Sequence, residues 1–489
     1  MQEEGGSLKG AVARTLKWNV IDRVSTQILY AVTGIVLANT LSHEDYGLVG
    51  AITVFQAFAQ MFIDSGFASA LLQRKNPSHL DYSTVLWFNL SMAGALYLLL
   101  FACAPLIADF FQGDDRIIGL SRVLFLSFII NAAGIVQTNI RMKQMDVRIV
   151  AIANSAALFS GSLAGIVLAL LGYGAWAIVW QTIILAAVRT AILWLSSSWR
   201  PLLRFSWQVL RGFFSVGSGV MLTSLFTTLF QNIYPMLIGN RSGLVQLGYF
   251  AQADKWSKMG VMSISQTLTS SFLPLLSQVQ DQRDRYAAIC CKTHRLTAYL
   301  VIPAMCLLTL MATDIFHTLF GEKWDPSVPL FQILCLRGIF VVLGLQYSNY
   351  ILSLGRSKLL VVSEIVRDGS ALLIKVPTFG LLSEGMAGLA EFMIWQTVAS
   401  VISWAVLLVM VSRLTGRRIG AWIADLLPYS ALTLLSSLPC LWVEGLMLPP
   451  FTACIAIAAA FAAVYLGACW LSGSKIQRDA VAYVCGRLK

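Results

Sequence analysis

Apolar residues run along this chain in long blocks, separated by short connections rich in charge, glycine and proline. The pattern predicts fourteen membrane-crossing helices, at 17–40, 46–70, 85–111, 117–139, 149–172, 174–198, 212–239, 247–274, 295–320, 327–353, 358–379, 385–412, 421–443 and 449–472. About 20 apolar residues are needed to cross the hydrocarbon layer, and these blocks are long enough. In lipid each segment must close its own backbone hydrogen bonds, which favours helices. A membrane β-barrel would instead show short segments of alternating polarity. The predicted fold class is an all-α membrane protein.

Charge orders these helices. Of the 35 Lys and Arg residues, 24 fall in one set of alternate connections, 3 in the other set and 8 within spans. So uneven a count places the basic set in the cytoplasm, and both termini with it. The other connections are short and mostly acidic, with Glu44, Asp45, Asp114, Asp115, Glu322, Asp325, Glu384 and Glu444. The polar start MQEEGGSLKG precedes a span too long for a signal-peptide core, with no small-residue cleavage site, so the first helix is expected to be retained.

Composition removes several function classes. Residues are 57% hydrophobic and 12% charged, against roughly 25% charged in soluble domains. The net charge of +11 sits on short cytoplasmic loops and sets topology, so nucleic acid is not an expected partner. The nine cysteines include no CxxC and no metal-like spacing with the four histidines, so neither a metal nor another cofactor is expected. No loop has room for a catalytic or nucleotide-binding domain. No GxxxxGK[ST] motif occurs, which argues against direct use of ATP.

The stretch IVLANTLSHEDYGLVGA is echoed by MLIGNRSGLVQLGYFAQA at an offset of 201, pairing Asn39 with Asn240 and Gly47 with Gly248. These points are equivalent in two six-span blocks of one orientation, the pattern of a parallel repeat. Residues 1–199 and 212–414 therefore read as two lobes, and 415–489 as two further helices with a cytoplasmic tail. Between the lobes, PLLRFSWQVLR (201–211) places Arg204, Gln208 and Arg211 on one face and Leu203, Trp207 and Leu210 on another. The linker 200–211 is expected to be an amphipathic helix at the cytoplasmic interface. GSLAG at 161–165 is a close-packing signal.

The stretches LSHEDYGLVGA, FIDSGFASALLQRKNPSHLDYSTVLWFNL, SSFLPLLSQVQDQRDRY and LFGEKWDPSVPLFQILCL resemble bacterial polysaccharide exporters of the Wzx flippase type. The branch is that of colanic-acid-like exporters, within the multidrug/oligosaccharidyl-lipid/polysaccharide superfamily. The resemblance implies a V-shaped pair of six-helix lobes around a central cavity. It implies alternating access in the bacterial inner membrane, with an undecaprenyl-diphosphate-linked oligosaccharide as cargo. A proton or sodium counter-ion is a further implied partner, as are a polysaccharide polymerase and a chain-length protein.

Ionised residues at bilayer depth are costly, so each is a candidate functional group. The cationic candidates are Arg23, Arg122, Arg189, Lys255, Arg337, Arg367 and Lys375. Arg and Lys in a low-dielectric cavity suit a diphosphate. The eleventh span carries Glu364, Arg367 and Asp368 at i, i+3 and i+4, with Lys375 further along nearly the same face. That stripe lines either a wet cavity or a buried ion-pair seam. Asp254 and Lys258 share a face and either pair or act separately. Asp254, Glu364 and Asp368 are the candidates for ion coupling, because burial or a moving cation can shift a carboxylate's pKa. Gln231, Asn232, Gln346 and Asn349, with Tyr234, Tyr347 and Tyr350, either line a sugar path or join helices.

Two other functions remain open. Another transporter of the superfamily, a drug/cation antiporter or a peptidoglycan-precursor flippase, fits the same spans. A membrane-embedded polymerase or glycosyltransferase would want a long outer loop or a nucleotide-sugar domain, and neither is present. No Ser/His/Asp constellation stands out either, so enzymatic activity is not expected.

Overall fold

In a computed structural model of the protein, the described residues are 25–64, 71, 74, 76–144, 146–355, 359, 362, 369, 373, 376–446, 448–474 and 476–478. All regular structure among them is helical. By internal contact the chain divides into two compact units, 1–248 and 249–489.

The first unit holds α1 (25–40), α2 (His43–Asp64), α3 (His79–Ala102), α4 (Ala104–Phe110), α5 (Arg116–Leu124), α6 (Leu126–Lys143), α7 (Val147–Leu170), α8 (Trp176–Leu195) and α9 (Trp207–Arg241). It ends in the first turn of α10 (Leu244–Gln278). The second unit holds the rest of α10, then α11 (Arg283–Leu310), α12 (Ala312–Leu319), α13 (Ser327–Ser353), α14 (Gly385–Thr415), α15 (Ile419–Glu444) and α16 (Pro450–Leu471).

Ten helical stretches among the described residues are long and apolar enough to cross a membrane. The expected spans at 85–111 and 117–139 are broken helices: the first turns at Cys103 before Pro105, the second at Phe125. Helices α9 and α10 have 35 residues each, about 52 Å at 1.5 Å per residue. They exceed the bilayer in length. The expected eleventh span, 358–379, lies largely outside the described residues, so the coarse architecture is that of a multi-pass helical membrane protein.

Small residues set the closest helix contacts. In α7 a Cβ on Gly161 would sit 2.9 Å from the Gln181 carbonyl oxygen, and one on Gly165 would sit 3.0 Å from the Gln181 Cβ. The GSLAG signal thus marks the packing of α7 on α8. A closer approach joins α2 to the start of α10. A Cβ on Gly47 would overlap the Leu244 carbonyl oxygen, and one on Gly248 would overlap that of His43. His43 and Leu244 are themselves 201 positions apart, so the contact is reciprocal. The faint sequence repeat is a local two-fold-like crossing in space, and its two matched glycines are where it touches.

Around that crossing the expected outer end of the first unit is tied by polar groups. Asp45 caps α2 by accepting from the Ser42 N–H (3.0 Å) and hydroxyl (2.7 Å), and it also accepts the Ala175 N–H at 2.8 Å beside Gly174. Asn240 Nδ2 donates to the Phe110 carbonyl at 2.6 Å. Arg116 pairs with Glu44 and Asp114, and its hydrogen bonds hold the Asp114 carboxyl below its ordinary range.

At the opposite end, Ser78 and Asp81 form a capping box on α3, and Arg74 pairs with Asp81 at 3.2 Å. The linker departs from the expected amphipathic helix there. Residues 197–206 are not helical; Leu202 donates its N–H to Ser83 Oγ (2.9 Å) and accepts from Trp87 Nε1 (2.7 Å). Pro201 lacks a donor N–H, and Ser206 caps α9, so the helix starts only at Trp207. Leu203 and Trp207 stay exposed, at 89% and 74%. In the second unit, α15 and α16 pack on α11 through Tyr299, Tyr429, Phe461 and Tyr465, whose hydroxyl donates to the Tyr299 carbonyl at 2.9 Å.

Gly47→Ala and Gly248→Ala should each lower stability by about 1–3 kcal/mol, the cost of overpacking a tight contact. Gly94→Ala, with no atom within 4 Å of the new methyl, should not. Thermal unfolding of the purified protein checks this, and unchanged midpoints for both variants would remove the crossing from the account.

Candidate functional site

The structure separates the sequence candidates into three groups. Arg23, Glu364, Arg367, Asp368 and Lys375 lie outside the described residues. Arg122 and Arg189 lie in the first unit, on α5 and α8. The Arg122 guanidinium stacks on Phe101 at 4.4 Å from the ring centroid, an arrangement that lets aromatic surface carry part of the charge. Arg189 is half-buried.

The second unit holds Lys255, Asp254 and Arg337. Asp254 pairs with Lys258 at 2.7 Å one turn along α10, so the shared face read from the sequence is an ion pair. The Lys255 ammonium lies 5.6 Å from the Trp256 ring centroid. One turn earlier Gln252 is fully buried, and neither of its amide atoms has a hydrogen-bond partner among the described residues.

Arg337 sits near the middle of α13, one of the helices long and apolar enough to cross a membrane. Its Nε donates to Ser400 Oγ at 3.0 Å and its Nη1 to Gln396 Oε1 at 3.1 Å. Ser400 and Gln396 are one turn apart on α14, so a single helix face presents both acceptors to the planar fork. Both acceptors are neutral. They orient the guanidinium through its Nε and Nη1. Arg337 is half-buried, and its neighbour Gly338 lets α13 close against Val261 and Met305.

Of the amide and tyrosine residues left open between sugar path and helix contact, Gln346, Tyr347 and Tyr350 fall on the helix-contact side, whereas Gln231 is exposed. Gln346, Tyr347 and Tyr350 are at most 2% exposed. The Tyr350 hydroxyl meets Thr293 Oγ1 at 2.7 Å, donates to the Cys290 carbonyl at 3.0 Å and accepts from Gln346 Nε2 at 3.2 Å. Tyr286 donates to the Tyr350 carbonyl at 2.6 Å. Asn349 Nδ2 donates to Thr269 Oγ1 at 2.9 Å, and Asn232 bonds its own helix at Thr228. This network joins α11 to α13, where a half-satisfied polar layer would be costly.

The sequence reading missed one charged cluster. Asp425, on α15, is 8% exposed and serves two arginines. Arg295 of α11 donates to its Oδ1 through Nε (2.9 Å) and Nη2 (2.8 Å). Arg417, just before α15, donates to its Oδ2 at 2.5 Å and lies 5.1 Å from the Trp422 ring centroid. The bond to Asp425 raises the Arg417 pKa above its ordinary value, so Arg417 stays charged. His294 and Tyr347 continue the contact inward, His294 through the Trp422 carbonyl at 3.2 Å. The available signal was a lone carboxylate two turns into a span that opens on Arg417 and Arg418.

Asp425→Asn would leave two guanidinium groups facing each other in a half-buried site and should destabilise by about 3–5 kcal/mol. Arg417→Gln keeps a one-to-one pair with Arg295 and should cost much less. Thermal unfolding of the two variants measures the difference, and equal midpoints would contradict the assigned pairing.

Comparison with known proteins agrees with the resemblance read from the sequence. Residues 36–329, more than half of the chain, match the family model described as "Polysaccharide biosynthesis protein". The teichuronic acid biosynthesis protein TuaB of Bacillus subtilis (strain 168) is 27% identical over 354 residues, covering 70% of this chain and 71% of its own. The succinoglycan biosynthesis transport protein ExoT of Rhizobium meliloti (strain 1021) is 27% identical over 407 residues, covering 81% of this chain and 80% of its own. In fold the chain is similar to the lipid II flippase MurJ in an inward closed conformation, with a TM-score of 0.75 at 16% identity, over 94% of this chain and 100% of that one. This all-helical membrane protein belongs to the polysaccharide biosynthesis protein family.

Proposed function

We propose that the protein is a flippase that moves an undecaprenyl-diphosphate-linked oligosaccharide from the inner to the outer leaflet of the bacterial inner membrane. The repeat unit then feeds the synthesis of an exopolysaccharide, a capsule or an O-antigen. The observation that carries the reading is Arg337, a guanidinium near the middle of a helix long and apolar enough to cross the membrane, aimed by Ser400 and Gln396, in a chain of the polysaccharide biosynthesis protein family. A charge so placed is costly unless it is used, and a diphosphate is the part of the cargo that hydrocarbon rejects most strongly. The fork of Arg suits phosphoryl oxygens, and low dielectric strengthens the contact.

In this reading Lys255 is a second cation for the headgroup, its ammonium lying near Trp256. Arg23, Arg122, Arg189, Arg367 and Lys375 are further cations of the path. Glu364 and Asp368 are the better coupling candidates for a proton or sodium gradient, since Asp254 is engaged by Lys258. The chain crosses the membrane fourteen times, with both termini cytoplasmic, and works by alternating access without chemistry of its own. A polysaccharide polymerase and a chain-length protein receive the product.

A second reading, a peptidoglycan-precursor flippase, is favoured by the similarity in fold to the lipid II flippase. Both cargoes end in the same lipid diphosphate, so the site logic is shared and the sugar separates them. Deletion in the native host should abolish surface polymer and leave the lipid-linked repeat unit on the cytoplasmic leaflet. Arg337→Ala, with normal membrane insertion, should reduce surface polymer at least tenfold. Normal polymer in the deletion strain would refute the exporter assignment, and normal polymer with Arg337→Ala would refute the role of that residue. An arrest of peptidoglycan synthesis instead would favour the second reading.

A further inference from the structure

The chain between α8 and α9 leaves apolar side chains uncovered at a level that its hydrogen bonds fix. Leu202 is tied to α3 on both sides of its residue, by its N–H to Ser83 Oγ and by its carbonyl to Trp87 Nε1. Ser83 and Trp87 lie in the first turns of a helix that starts at His79 and is long and apolar enough to span the bilayer. At 1.5 Å per residue they are about 6–12 Å along it. Tryptophan gathers at this level: the Trp199 ring lies 5.5 Å from that of His79 and 6.4 Å from that of Trp194, and Trp207 opens α9. Such rings collect where hydrocarbon meets headgroups. Residues 197–206 are not helical, so their N–H and C=O groups need water or headgroups around them.

The exposed side chains here are of two kinds, and contacts and helix geometry join them. Leu203, Phe205 and Trp207 are all exposed, and the Phe205 and Trp207 rings meet edge-on at 5.4 Å. Trp207 and Arg211 are one turn apart on α9 and share a face. Side chains of a helix lean toward its N-terminus, so Arg211 reaches back toward the level of Trp207. Arg204 sits between Leu203 and Phe205. Both arginines are exposed, and neither has an ion-pair partner among the described residues. Apolar groups that can sink, beside cations that stay at the surface, suit a segment lying in a leaflet that contains anionic lipid. A soluble protein would have to enter the headgroup layer to reach the same patch.

We propose that residues 202–211 are a lipid anchor: Leu203, Phe205 and Trp207 insert among the lipids of the leaflet at the basic ends of the helices, and Arg204 and Arg211 hold the phosphates of anionic phospholipid. The anchor is separate from the cargo cations and does not depend on the identity of the cargo. Leu202 is fastened to α3 and Trp207 to the leaflet, so the point where the chain enters α9 is held at one depth.

The test uses the full-length protein with a fluorescent amino acid in place of Leu203, in vesicles that mix phosphatidylglycerol and phosphatidylcholine. One lipid or the other carries bromine on its acyl chains as a quencher, and a neutral water-soluble quencher is added separately. Emission should fall at least twofold with brominated phosphatidylglycerol, less with brominated phosphatidylcholine, and little with the aqueous quencher. Arg204→Gln combined with Arg211→Gln should remove the difference between the two lipids. Arg285→Gln takes the same charge from the start of α11, where Arg285 bonds Gln282, and should preserve it. Strong aqueous quenching without lipid quenching would place the segment in water, as docking of a soluble protein requires, and overturn the proposal. Equal quenching by the two lipids around the otherwise unaltered chain, or loss of the difference with Arg285→Gln, would also overturn it. If the double variant does not insert, Arg204→Gln alone, outside any helix, decides.

Discussion

An ionised side chain inside hydrocarbon has no water to solvate it, and that constraint organises this protein. Every charge at depth must be paired, oriented by neutral dipoles, or laid against an aromatic face. Asp254 and Lys258 take the first course within one helix turn. Arg337 uses the second at its Nε and Nη1, which donate to Ser400 and Gln396. Arg122 takes the third against Phe101. The choice decides what a residue can do. A charge locked in an ion pair is spent on structure, whereas a guanidinium aimed by hydrogen bonds to side chains of a neighbouring helix has a fixed direction in which to meet a ligand.

The same scarcity of polar partners explains the backbone. Helices satisfy their own amides and so can pack as smooth rods, and glycine lets them approach until carbonyl oxygens meet Cα atoms. Gly47 and Gly248 bring α2 and the start of α10 to that limit, each against the backbone of the other's first residue. The polar ties nearby are local and short-range: Asp45 capping one helix and bonding the start of another, and Asn240 reaching the Phe110 carbonyl.

Much of this was legible in the residues. Apolar block length predicted helices, and GSLAG predicted close helix packing, whose partner the structure identifies as α8. The pairing of Gly47 with Gly248 pointed to equivalent places before any coordinates did, although it could not say that the two places touch. Span limits were less legible, because Pro105 and the turn at Phe125 break helices that hydropathy reads as continuous. The linker was misread for a similar reason. Its amphipathic spacing is real, but Pro201 and the bonds from Ser83 and Trp87 favour an extended path up to Ser206. The Arg295–Asp425–Arg417 cluster joins residues 130 positions apart. No local pattern encodes such a partner. For Gln346, Tyr347 and Tyr350 the residue types fit two roles equally, and only burial distinguished them.

The central claim is that Arg337, a guanidinium at bilayer depth, helps to carry a lipid diphosphate across. Reconstitution of the purified protein into vesicles tests it most directly, by following movement of an undecaprenyl-diphosphate-linked oligosaccharide to the leaflet where an added enzyme can reach it. The account predicts that the wild type accelerates this movement over protein-free vesicles and that Arg337→Gln, folded and inserted, loses most of the acceleration. Equal rates with the wild type and without protein, or full activity in the Arg337→Gln variant, would contradict it.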